Sequence, residues 1–475
     1  IMEVEIQTGI EQLNTQVSNV INNAIRSINK CVSEKGERLM NKINRQTAWL
    51  RKHLYRPNIL LTAINTHIKQ SSALYEPLKS FIIAHFPSSG NEMNILQPLP
   101  TDLKLDMKME SGEIEKESYI LLLVILACID NGKLAESFFW AKQAIKRTNL
   151  MHIATDVLIA KIYFYYQWSA ELCKVDVLDQ LLVAHTMASL RQAHETKATV
   201  TNLIVRCYLA TSQYSLCEKF ISKSPISSSV SNEQQARYYY YLGRTQCIDL
   251  KYSDAYDALL TAIRKAPQLP KAFGFHVCVT KWLTLVQLLM GEIPQRNVFL
   301  QQGMLRALIP YYRLTQAVQV GDLADFQKVV EEYKDWFMND KTSGLVTRIR
   351  QNVIKTAVRK IYVSYSRIGL KEIQKKLQLD TVEDTEFIVA KCIQDNVIDA
   401  VIDHDKQILI GNTTLDIYTT EEPRIIMESR IKGCLQLQRD IEKAMIFEDN
   451  NKKVLDSGAY FNVDIQDVGI LGDMH

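Results

Sequence analysis

The sequence predicts a mainly α-helical fold, in which a solenoid of helix hairpins is followed by a winged-helix module and a C-terminal helix. Apolar residues recur with helical spacing along most of the chain. Glycine (17) and proline (11) are scarce in 475 residues, whereas parallel-sheet enzymes need many glycine-rich turns. Because a single core stops growing at about 250–300 residues, a chain of this length needs several units or an elongated array.

The N-terminal region, 1–117, is predicted to be helical with a loop at its end. Apolar residues at helical spacing predict one amphipathic helix over 6–43, and more helix follows over 49–86. The stretch 87–117 is polar, begins with Pro87-Ser88-Ser89-Gly90, and is predicted to be a loop.

The region 118–345 is predicted to be a helix-hairpin solenoid. Helices over 119–130 and 134–147 flank Asn131-Gly132, and the clearest hairpin covers 233–267. This hairpin has the tetratricopeptide spacing of aromatic, Leu-Gly, aromatic, Ala, large apolar, Ala and Pro. The residues in these positions are Tyr239, Leu242, Gly243, Tyr252, Ala255, Leu259, Ala262 and Pro267. Gly243 and Ala255 are expected to let the two helices approach closely, and further helices are predicted over 271–290, 305–320 and 323–338.

Four consecutive tyrosines, 238–241, allow two interpretations. They could form a stacking platform for single-stranded nucleic acid, or they could pack in the core of the solenoid. On a helix the four side chains point in all directions, and Tyr239 occupies a core position of the repeat. Core packing is therefore favoured.

The region 346–420 is predicted to be a winged helix. Helices over 346–366, 370–377 and 381–394, the last with Asp380 as its N-cap, precede two strands over 397–403 and 406–411. The third helix carries Glu383, Asp384, Glu386 and Asp395 against a single Lys391, so it repels phosphate, whereas DNA recognition helices carry basic and amide side chains. Protein docking is favoured over nucleic-acid binding.

The candidate interface residues of this module lie on the two strands of the wing. They are Val397, Val401, Ile408 and Ile410. The wing is predicted to pair edge to edge with another protein through its backbone. The alternative is a small solvated edge that Asp399, Asp403 and Lys406 protect from pairing.

The C-terminal helix is predicted over 421–447 and is followed by an acidic, disordered tail over 448–475. The apolar stripe of the helix supplies the other candidate interface residues, which are Met427, Ile431, Leu435, Ile441 and Met445. This stripe could fold back on its own chain. Docking among partner helices is favoured, because a lone amphipathic helix after a complete domain has no obvious place to bury its face.

The sequence lacks the motifs of several classes of enzyme and metal-binding protein. No Gly-x-x-x-x-Gly-Lys loop, His-Glu-x-x-His helix or His-x-His pair occurs, so we expect no enzyme, cofactor, metal site or small-molecule substrate. Spacing alone leaves a cysteine peptidase open, although the helical pattern does not offer the mixed fold it requires. A net charge of +3 and a pI of about 8.2 give little support to nucleic-acid binding.

The expected location is the cytoplasm and nucleus, without a membrane span. The nine cysteines include no Cys-x-x-Cys pair, as in proteins of reducing compartments. The longest apolar run, 119–129, is shorter than the about 20 residues that a membrane helix needs. The first residues show no basic and apolar secretory signal.

A helical-repeat array that leads into a winged helix resembles the PCI architecture, which is used by the proteasome lid, the signalosome and a translation initiation complex. Specific stretches resemble the family of lid subunit 3 of the proteasome. These stretches are 195–198, 202–204, 262–267, 289–294, 310–318, 350–356, 422–423, 430–431 and 443–445. The resemblance covers about 120–447 in consistent order, and it is weak over the first hundred residues.

The resemblance implies a structural role in the lid of the 26S proteasome regulatory particle (the 19S particle), which supports degradation of ubiquitinated proteins. It implies PCI modules that pack side by side through their winged helices, and C-terminal helices that join a multi-subunit helical bundle. The expected neighbours are lid subunits 7 and 12 and a small acidic subunit.

Overall fold

The computed structural model divides the chain into two compact units, Ile1–Val358 and Arg359–His475. It describes residues 2–34, 37–53, 57–70, 72, 74–85, 112–227, 229–268, 272–301, 303–379, 381–411, 418 and 420–445. Most of the predicted loop 87–117 and all of the tail 448–475 lie outside these residues. The finer division into five regions stays a prediction.

The first unit begins with four helices. They are α1 (Met2–Glu34), α2 (Glu37–Leu50), α3 (Pro57–His67) and α4 (Tyr75–His85). The prediction of one helix over 6–43 is wrong, because α1 ends at Glu34 and packs against α2. In the sequence, Gly36 falls between these two ranges, and glycine inside a helix costs about 1 kcal/mol relative to alanine.

The next helix, α5 (Glu113–Asp130), is the most deeply buried of the described elements. All eleven residues of the apolar run 119–129 are buried, because α1, α3, α6 (Leu134–Thr148) and α7 (Asp156–Cys173) pack around it. The helix starts within the stretch predicted as loop. Gly112 precedes it with φ 101°, and its backbone N–H donates to Glu115 Oε2 at 3.0 Å.

Successive hairpins then build the solenoid. They comprise α8 (Leu178–Leu190), α9 (His194–Ala210), α10 (Tyr214–Lys223), α11 (Asn232–Ile248) and α12 (Tyr252–Lys265). The predicted close approach in the hairpin of α11 and α12 is confirmed. A Cβ atom added at Gly243 would lie 2.7 Å from Leu259 Cγ and 3.3 Å from the Ala255 carbonyl oxygen.

The first unit ends with six further helices. They are α13 (Phe273–Met290), α14 (Arg296–Phe299), α15 (Met304–Val320), α16 (Leu323–Glu332), α17 (Lys334–Asn339) and α18 (Ser343–Ser364), which continues into the second unit. The short α14 was not predicted, and the helix predicted over 323–338 is interrupted at Tyr333. By length and hydropathy alone α13 could span a membrane. It instead packs against α12 and α15, as a core helix does.

The apolar core of this unit consists of two clusters that meet at α11. The first extends from Val17 to Tyr238 and the second from Cys247 to Val353. Tyr239 packs against both clusters, which confirms that the tyrosine run serves core packing. The core is therefore continuous through the solenoid, as stacked hairpins require.

The second unit contains a winged helix. After α18 come β1 (Arg367–Gly369), α19 (Leu370–Leu377), α20 (Val382–Gln394), β2 (Ala400–Asp403), β3 (Ile408–Gly411) and α21 (Glu422–Met445). The sheet is antiparallel with the order β1-β3-β2, so Leu409 pairs with Ile368 on one side and Ile402 on the other. The N-cap of α20 is Thr381, whose Oγ1 accepts from the Asp384 N–H; the predicted Asp380 lies outside the described residues.

Candidate protein interface

The three-stranded sheet has two edge strands among the described residues, β1 and β2, and β2 is the edge strand of the wing. The central strand β3 is paired on both sides, so its backbone is already used within the sheet. Val401 lies on β2 and 56% of its surface is exposed. Ile408 and Ile410 lie on β3 and are half-buried. Val397 precedes β2 and donates its backbone N–H to the Cys392 carbonyl at 3.0 Å.

The end of β2 is charged, which limits pairing along this edge. Lys406 Nζ lies 3.2 Å from Asp403 Oδ2, and hydrogen bonding to Lys406 lowers the pKa of the Asp403 carboxyl. Charged side chains and short length are common ways of protecting an edge strand. Of the four predicted wing residues, only Val401 is both exposed and on the free edge.

The outer surface of α20 combines an aromatic side chain with acids. Phe387 is 75% exposed, a feature that the sequence analysis missed. The neighbouring Glu386 contacts His404 in the wing turn, where Oε1 lies 2.8 Å from Nδ1. This hydrogen bond raises the pKa of the His404 imidazole. An acidic helix with an exposed phenylalanine suits a protein surface better than a phosphate backbone.

The last described helix, α21, has no buried side chain. The five predicted stripe residues Met427, Ile431, Leu435, Ile441 and Met445 are between 48% and 69% exposed. At 3.6 residues per turn they lie within an arc of about 120° on one face. Ile426 and Leu437 extend the apolar face at its flank, and both were missed in the sequence analysis.

The opposite side of α21 is mostly polar, with Ile425 as an exposed exception, and it contains a charged pair. Lys432 Nζ lies 2.7 Å from Glu428 Oε1, one helical turn away. Such pairs at i and i+4 support an isolated helix. The helix therefore has one face suited to solvent and one suited to another protein surface.

Catalytic chemistry finds little support in the described parts of the chain. They contain no group of three or more His, Cys, Asp or Glu residues that could hold a metal ion. Burial raises the pKa of the Cys128, Cys217 and Cys247 thiols to about 12. Because the thiolate is the nucleophile, these cysteines are poorly suited to the peptidase chemistry that spacing had left open.

A helix-hairpin solenoid that continues through one long helix into a winged helix defines a protein of the PCI class. The model of the PCI domain matches residues 330–412, and the model described as PSMD3-like, N-terminal TPR repeats matches residues 13–315. The chain belongs to the family of 26S proteasome non-ATPase regulatory subunit 3.

Relatives from distant organisms match most of the chain. A probable 26S proteasome non-ATPase regulatory subunit 3 from Nicotiana tabacum is 40% identical over 405 residues, which cover 84% of this chain and 80% of the relative. The subunit 3 of Dictyostelium discoideum is 37% identical, covering 90% and 85%. A probable regulatory subunit rpn3 of Schizosaccharomyces pombe is 41% identical, covering 70% and 67%. The family resemblance seen in the sequence is thereby confirmed.

Proposed function

We propose that the chain is a non-catalytic structural subunit of the proteasome lid, acting only through contacts with other subunits. Membership of the subunit 3 family supports assembly with other proteasome subunits. The relatives' names, which call them regulatory and non-ATPase, support a role without chemistry of its own. In this role the chain supports ATP-dependent degradation of ubiquitinated proteins by holding other subunits in place.

The observation that carries the proposal is the unburied stripe of α21. Full burial of a Met, Leu or Ile side chain is worth about 1.5–3 kcal/mol, and these five are about half exposed. Covering them would contribute roughly 4–8 kcal/mol. Association itself costs about 4–15 kcal/mol, so one docked helix is marginal. A bundle in which several partner helices share the contact fits these magnitudes better than a single binary contact.

The proposed neighbours are lid subunits 7 and 12 and a small acidic subunit. The exposed Val401 on the free strand edge and Phe387 on α20 supply contact points for a neighbouring winged helix. The proposed location is the cytoplasm and nucleus, and no nucleic acid, membrane or cofactor takes part.

The experiment removes α21 or its stripe from a tagged chain and measures recovery of the other lid subunits. Deletion from Glu421 onward is expected to abolish co-purification while the solenoid stays folded. The double substitution Ile431→Ala and Leu435→Ala removes six carbons, and because these side chains are about half exposed in the free chain, docking loses roughly 2.5 kcal/mol. That loss weakens docking by roughly 50-fold.

The matched control is Ile425→Ala. Ile425 is 61% exposed on the same helix but lies on the side opposite Met427. Its substitution is expected to leave recovery unchanged, and none of the variants should shift the melting temperature of the isolated chain. Normal incorporation of the double variant, or recovery of a tagged wild-type chain without lid subunits, would contradict the proposal.

A further inference from the structure

The first unit contains a polar pocket of about 290 Å³ that the proposed scaffold role does not use. Three helices of the solenoid, α9, α11 and α13, form its walls, and the turn after α17 closes one side. The charged residues of its lining are Arg206, Arg244, Lys281, Asp340 and Lys341. Four cations therefore face one carboxylate.

Arg244 is held in a fixed position by two aromatic rings. Its guanidinium carbon lies 4.8 Å from the centre of the Trp282 ring and 5.6 Å from that of Tyr240. Its Nε is buried and has no hydrogen-bond partner among the described residues. A buried donor without a partner is uncommon and calls for an acceptor. Burial raises the pKa of the Tyr240 phenol to about 12, so this wall stays neutral.

Of the other three cations in the pocket, two pair with carboxylates and one donates only to backbone carbonyls. Arg206 pairs with Glu171 at 2.6 Å, and Lys281 pairs with Asp340 at 2.7 Å. Lys341 Nζ donates to the carbonyls of Leu209 and Ala210, which are neutral acceptors. After these pairings, two positive charges remain, because Arg244 and Lys341 have no carboxylate partner among the described residues. The complementary ligand is a dianion.

We propose that this pocket binds a phosphate monoester. At neutral pH a monoester carries a charge of about −1.5 to −2, which matches the two remaining cations better than a carboxylate does. A guanidinium presents parallel N–H donors that fit phosphate oxygens in a bidentate manner. The lysines at the rim contribute as point charges. The phosphate could come from a free small molecule or from a phosphorylated side chain, and the two sources share this chemistry.

Within the pocket, the Asp340 carboxylate competes with an anionic ligand for the positive charge of Lys281. Its carboxylate accepts from Lys281 and from the Tyr311 hydroxyl at 2.8 Å, so it neutralises a cation that could otherwise face the ligand. Replacing it with asparagine keeps an oxygen for Tyr311 and removes the charge. This substitution is therefore expected to strengthen phosphate binding, a result that loss of folding cannot imitate.

The test is isothermal titration calorimetry on the full chain at low salt, with O-phosphoserine as the probe and serine and acetate as controls. Arg244→Gln is expected to weaken O-phosphoserine binding by at least about tenfold, which corresponds to about 1.4 kcal/mol. Arg264→Gln, on the exposed side of α12, is the matched control and should bind as the wild type does. Asp340→Asn should bind several-fold more tightly.

Two further measurements sharpen the result. Since a monoester takes up a proton with a pKa near 6, affinity should fall between about pH 7.5 and 5.5. A phosphoserine peptide that binds more tightly than free O-phosphoserine would identify a phosphorylated side chain as the source, and the reverse order would identify a free small-molecule monoester; both support the proposal. It is overturned if O-phosphoserine does not bind, if acetate binds equally well, or if Arg244→Gln binds like the wild type.

Discussion

The close approach of α11 and α12 at Gly243 predicts a large loss of stability when a side chain is added there. In Gly243→Val the new Cβ would lie 2.7 Å from Leu259 Cγ, and Leu259 is fully buried. Overpacking of this kind costs about 1–3 kcal/mol. Valine recovers only a few tenths of a kcal/mol of helix propensity relative to glycine. The expected net loss is about 1–2.5 kcal/mol.

The matched control is Gly274→Val. Gly274 also lies in a helix, but no atom of the described residues stands within 4 Å of an added Cβ. Substitution there is expected to change stability by less than about 0.5 kcal/mol. Urea unfolding of the isolated chain, followed by circular dichroism, measures both variants. The reasoning is refuted if the two variants unfold at the same urea concentration, or if adding Leu259→Ala to Gly243→Val does not offset part of the loss.

Two other predictions concern buried charges in the solenoid. Arg147 Nε lies 3.7 Å from Glu117 Oε2, and both side chains are at most 6% exposed, so Arg147→Met should cost about 3–5 kcal/mol by depriving a buried carboxylate of its cation. The double variant with Glu117→Gln should recover part of this loss in the same unfolding assay. Burial lowers the pKa of the Lys161 amine to about 8. The unfolded chain therefore binds more protons from about pH 8 to 10, and stability rises with pH across that window. Lys161→Met should accordingly be more stable than the wild type at pH 7, and this advantage should vanish above about pH 10; an advantage independent of pH would contradict the assignment.

Helical periodicity predicted most helices of this chain because the buried faces repeat regularly. The helix predicted over 370–377 coincides with α19, and those over 134–147 and 381–394 differ from α6 and α20 by one residue. The errors lie where a local feature outweighs periodicity. The interruption at Tyr333 leaves the apolar pattern intact, so the pattern could not reveal it. The three-residue β1 is too short to show any alternation.

The candidate sites were predictable to different extents. The stripe of α21 could be found because a helix places residues three and four apart on one face. The free edge of the wing could not, since pairing of β3 with β1 depends on residues about forty positions apart in the chain. The pocket around Arg244 could not be predicted from the sequence for the same reason. Its lining comes from α9, α11, α13 and the turn after α17, and no local spacing connects them.

The complete burial of residues 119–129 in α5 has a consequence for the synthesis of the chain. Eleven consecutive buried residues leave this helix no polar face, so it needs cover from all sides. The N-terminal helices α1 and α3 are made before it, but α7 is complete only at Cys173. At about 5–20 residues per second, α5 is finished several seconds before its last cover is available. During that interval the apolar residues 119–129 are only partly covered, and the N-terminal helices α1 and α3 are the elements already available to pack against them.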